Sequence, residues 1–121
     1  MRFEARELKA YAEPVPVGEF KEGAVYFLLE FLDIDMHVPR MEPVIFLGRN
    51  LEDGDVSQLY FQDAVSYRKG IRYGDEAGEA SEEAVFIQTP ETRGRPLYEY
   101  ESALDILLSC SLRRREARGT T

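Results

Sequence analysis

Tryptophan is absent from this 121-residue chain, and cysteine and histidine occur once each, as Cys110 and His37. The lone cysteine excludes an intrachain disulfide framework and any paired-cysteine zinc site. The lone histidine means that a Ser-His-Asp or Cys-His mechanism would have to run through His37. Cys110 falls within an apolar helical pattern without an evident activating partner, which is the setting of a core thiol rather than a nucleophile. Long apolar runs are missing too. The longest, Ala24 to Leu29, is far short of the ~20 residues that span a bilayer, and the charged start Met1-Arg2-Phe3-Glu4-Ala5-Arg6-Glu7 does not resemble a signal peptide. A cytoplasmic protein without membrane association is the expectation. No glycine-rich phosphate loop occurs: Gly70, Gly74 and Gly78 are four apart among acids. Nothing in the sequence asks for a cofactor.

What is present suffices for one core. Apolar residues make up 44% of the chain, and with no indole the seven Phe and seven Tyr must supply its large side chains. The formal charge of −8 is unevenly spread: Arg113, Arg114, Arg115 and Arg118 against Glu116 give residues 113–121 a net +3, leaving −11 on the rest. An acidic body repels phosphate backbones, which argues against general nucleic-acid binding, and it suits a basic protein partner.

Patterning predicts an α+β domain over residues 1–115, followed by a frayed basic tail at 116–121. Residues 1–12 fit an edge strand or a short helix; the strand is favoured because Pro14-Val15-Pro16-Val17-Gly18 follows as an extended connector. Residues 24–34 read as a central strand, with Val25, Phe27, Leu29 and Phe31 on one face and Tyr26, Leu28, Leu32 and Ile34 on the other. Pro39 and Pro43 bracket an expected loop. Val44 to Leu47, residues 56–62 and Ala84 to Gln88 complete the strands, with Asp53-Gly54 as a hairpin turn. Asp63 is an N-cap and Gly70 a C′ residue for one or two helical turns between them. The acidic segment 75–83 reads as a mobile loop tip.

A long helix is expected from Leu97 to Arg115, its acids early and its arginines late, in keeping with the helix dipole. Leu104, Leu107, Leu108 and Leu112 recur at the spacing of one buried face. That face is expected to cover a small, curved, barrel-like, mainly antiparallel sheet, with Phe27, Phe31, Phe46, Phe61 and Leu108 in one core. Ile106, with Ala103 and Cys110 near its side of the helix, then forms a second apolar patch, which suggests a homodimer through the C-terminal helix.

Two clusters carry candidate chemistry. If the strand continued past Phe31, a period of two would set Asp33, Asp35 and His37 on one face as weak metal ligands. Asp63, Tyr67, Arg68, Lys69, Arg72 and Tyr73 form a basic, aromatic cluster able to grip an anionic ligand, the arginines bidentately and the tyrosines by stacking. Arg93-Gly94-Arg95 is a third basic spot, ahead of the long helix. With no catalytic constellation among these, the favoured reading is a non-catalytic binding or regulatory module, such as an inhibitor or immunity-type protein that masks a basic partner. The alternative is a small-ligand-binding or enzymatic domain built on the Arg/Tyr cluster or the Asp/His site.

Overall fold

The computed structural model describes residue 7 and residues 12–74, 83–92 and 96–119. Nearly all of the expected edge strand at 1–12 and of the acidic segment 75–83, and all of Arg93-Gly94-Arg95, lie outside these residues. Among the described residues, five strands form one antiparallel sheet: β1 (Val25–Phe31), β2 (Pro39–Arg49), β3 (Gln58–Asp63), β4 (Phe86–Pro90) and β5 (Leu97–Tyr98). A short helix α1 (Ala64–Arg68) follows β3, and α2 (Tyr100–Gly119) ends the described chain. The order β4-β3-β2-β1-β5 leaves β4 and β5 as edges among the described strands, so the sheet they form is open rather than barrel-like. Short connections make β1–β2 and β2–β3 antiparallel neighbours, as the loop lengths require, and β3–β4 is antiparallel too, across 22 residues that include α1.

β2 is much longer than expected, and both Pro39 and Pro43 belong to it, in register with Phe31 and Phe27. The pairing with β3 begins only at Val44, opposite Asp63. Below Val44 no β3 residue stands beside β2, so proline there costs no ladder bond on that side. Proline therefore does not open a loop here.

Alternation divides the strands between two faces. One face holds Tyr26, Leu28, Val44, Phe46, Leu59, Phe61 and Leu97, which form the main core with Phe20. Phe20 comes from the connector before β1: the Val15 amide bonds the Leu97 carbonyl at 2.8 Å, a 3-10 turn spans Val17–Glu19, and the Phe20 ring then meets Tyr26, Phe46 and Phe61 at centroid distances of 4.9 to 5.4 Å. Arg49 fastens this connector by donating to the Val17 carbonyl at 2.6 Å.

The opposite face of the sheet carries Phe27 and Phe31, which therefore do not share the core of Phe46 and Phe61. Phe27 meets the Tyr100 ring at 6.2 Å, and the Arg113 guanidinium sits 5.6 Å from the Phe31 ring centre. α2 thus runs beside β1 in the same direction. Its expected leucine stripe is not its buried side. Ala103 and Cys110 are each 2% exposed, whereas Leu104, Leu107 and Leu108 are half-buried and Leu112 is 45% exposed. Ala103 and Cys110, expected to flank a side free for self-association, are therefore buried instead, and Ile106 between them is half-buried. The helix also continues through residues 116–119, past its expected end at Arg115.

Candidate functional site

α1 begins where β3 ends, and Asp63 makes the junction. Its carboxylate accepts the Ser66 amide at 2.9 Å and the Ser66 hydroxyl at 2.5 Å, and also takes the Val85 amide at 2.9 Å. Burial works against the charge, but these hydrogen bonds outweigh it and hold the carboxyl below the usual aspartate range. Asp63 is thus a structural cap. Gln62, which the sequence did not single out, is fully buried and joins strand to helix by donating to the Ser66 hydroxyl at 2.9 Å and the Ile71 carbonyl at 2.8 Å. Gly70, at a φ of 94°, occupies C′ after the cap residue Lys69.

Three of the six residues of the basic, aromatic cluster, Tyr67, Arg72 and Tyr73, line one open cleft of about 750 Å3 beside α1. Leu47 and Leu51 give it apolar walls, and Glu22 and Glu52 add carboxylates from distant parts of the chain. Arg68 and Asp63 are not part of it, and Arg68 is exposed. The Arg72 guanidinium lies over the Tyr67 ring at 3.8 Å and donates to the Tyr67 and Ile71 carbonyls at 2.6 and 3.0 Å. Its fork is therefore already partly committed to the protein.

The acidic side of the cleft comes from the β2–β3 hairpin, shaped by Asp53-Gly54, where Gly54 has a φ of 84°. Within this turn the Glu52 amide bonds the Asp55 carboxylate at 3.0 Å. The Tyr73 hydroxyl donates to Glu52 and the Tyr60 hydroxyl to Asp55. The rings of Tyr60 and Tyr73 stand 5.4 Å apart. Burial of Tyr60, its bond to Asp55 and the nearby carboxylate charges push its phenol up to about 12. Two negatively charged side chains are thereby fixed beside an aromatic cleft, while Glu22 and Asp53 remain exposed.

The other candidate cluster does not assemble. β1 ends at Phe31, so the strand alternation that would align Asp33, Asp35 and His37 is absent. Asp33 instead turns its carboxylate onto the backbone of its own hairpin, accepting the His37 amide at 3.0 Å and the Val38 amide at 2.8 Å. The His37 amide bond is the main cause of a lowered Asp33 carboxyl pKa. Among the described residues no group of three or more His, Cys, Asp or Glu side chains is placed to hold a metal ion.

Cys110 is buried, as its place in the helix suggested, and its thiol donates to the His37 carbonyl at 3.2 Å. Among the described residues no helix is long and apolar enough to cross a membrane. Comparison with protein-family models, curated proteins and solved structures gave no match to this chain.

Proposed function

We propose that this protein is a non-catalytic binding module whose cleft beside α1 receives a basic side chain from a protein partner. One observation carries the reading: Glu22 and Glu52 border an open cleft whose other walls include the Tyr67 and Tyr73 rings and apolar Leu47 and Leu51. A lysine or arginine stem packs on such apolar and aromatic walls while its charge meets the carboxylates. The surrounding acidic chain speeds the encounter with a basic partner. An inhibitor or immunity-type protein that masks a basic surface is one form of this function. The alternative, an anionic ligand gripped by Arg68 and Arg72, has less support, because Arg68 stands outside the cleft and Arg72 is laid on Tyr67.

The test is an NMR titration of the labelled protein with a short lysine- and arginine-rich peptide, with an acidic peptide of equal length as control. The expected result is a set of saturable shifts centred on Glu22, Glu52, Tyr67 and Tyr73, caused by the basic peptide alone. Those shifts should weaken with salt and vanish in Glu22→Lys/Glu52→Lys. An absent response, or one spread over all acidic residues alike, overturns the proposal.

A further inference from the structure

The hairpin between β1 and β2 has an unusual surface. Ile34 at its tip is 99% exposed, Leu32 is 68% exposed, and Met36 and Val38 are 46% exposed each. Single exposed apolar residues are ordinary, but four in one seven-residue turn form a patch of the kind that marks a contact.

The turn is also firmly built. Asp33 accepts the His37 and Val38 amides, the Leu32 amide bonds the Val38 carbonyl at 2.9 Å, and Met36 is held at a φ of 57°. α2 braces it from outside through the Cys110 thiol on the His37 carbonyl and Arg113 on the Met36 carbonyl at 3.1 Å. A tip fixed in this way loses little conformational freedom when something binds it.

We infer that this tip is a self-association surface, meeting the same tip of a second copy across a two-fold axis. Charge identifies the occupant. Asp35, exposed at the tip, stands next to Ile34. Arg114 lies one helical turn beyond Cys110 on the same side of α2, which brings it and its exposed neighbour Arg115 to the same end of the molecule. A patch bearing both signs is its own complement. A two-fold rotation sets Asp35 of one copy towards Arg114 and Arg115 of the other, around a centre of paired Ile34 and Leu32 side chains. Insertion into a lipid surface is disfavoured, because it would carry the Asp35 carboxylate into the bilayer beside Ile34. The contact is separate from the cleft beside α1 and does not depend on its function.

A hairpin tip with one helix end buries less than the roughly 1,200 Å2 of a small specific interface, so association in the micromolar range is expected. Sedimentation velocity on the full chain, over about 1 to 300 µM, should show a reversible monomer–dimer equilibrium. Ile34→Glu should weaken it by at least tenfold with the circular dichroism spectrum and melting temperature unchanged, since the side chain makes no core contact. Asp35→Arg should weaken it as well, and Asp35→Arg combined with Arg114→Asp and Arg115→Asp should restore it. A wild-type chain that stays monomeric throughout, or a dimer indifferent to Ile34→Glu, overturns the inference.

Discussion

The Asp63 carboxylate and the Val85 amide meet at 2.9 Å across 22 residues of sequence. The same carboxylate caps α1 through Ser66, so one side chain starts a helix and holds the approach to edge strand β4. Asp63→Ala should cost about 1–2 kcal/mol in denaturant melts, the upper part of the range for losing a helix cap. A depressed carboxyl pKa has a definite sign. The stabilisation is complete above the ordinary aspartate pKa and is lost as pH falls through the lower folded value. The wild type should therefore lose stability on acidification more steeply than Asp63→Ala, and parallel acid profiles would count against the assignment.

The separation of the two sheet faces makes a second prediction. Phe46 is fully buried, and Phe46→Ala should cost about 3–5 kcal/mol. Phe31 is half-buried beneath the Arg113 guanidinium, and Phe31→Ala should cost roughly 1–2 kcal/mol, because part of its ring already faces water. Equal losses in urea melts would mean that the two rings share one core after all.

Tyr60 makes a third. Its phenol pKa, raised to about 12, favours the protonated form in the folded state. The resulting contribution to stability is whole below the ordinary tyrosine pKa of about 10 and disappears as pH rises towards the folded value. Tyrosinate absorbance should include a late step from Tyr60, above the ordinary tyrosine range. Asp55→Asn, which removes the adjacent charge, should move that late step to lower pH, and an unmoved step would place its cause elsewhere.

The parts of the fold legible in the sequence were those with local causes. Asp63 and Gly70 delimit α1 because capping and a positive φ are decided within a few residues. The strongest strand appeared because Val25 to Phe31 is apolar on both faces. The orientation of α2 was not legible. Its four spaced leucines suggested the buried side, yet the apolar residues it buries are the small Ala103 and Cys110, and which side turns inward is decided only once sheet and helix meet. The site divided in the same way. Tyr67, Arg72 and Tyr73 lie within seven residues and could be grouped by eye, whereas Glu22 and Glu52 reach the cleft only through the folded chain. Asp33 and Asp35 misled because strand periodicity was extended through a turn.

The thiol of Cys110 sits under the His37 carbonyl at 2% exposure, on the seam between α2 and the hairpin. As the single sulfhydryl in the chain, it turns that seam into a built-in chemical clock. An alkylating reagent can reach it only when the last turns of the helix lift away. The rate of labelling under native conditions therefore measures how often α2 undocks. Arg113→Ala, which removes the neighbouring tether to Met36, should make the clock run faster while the Phe20–Phe46–Phe61 core on the other face stays shut.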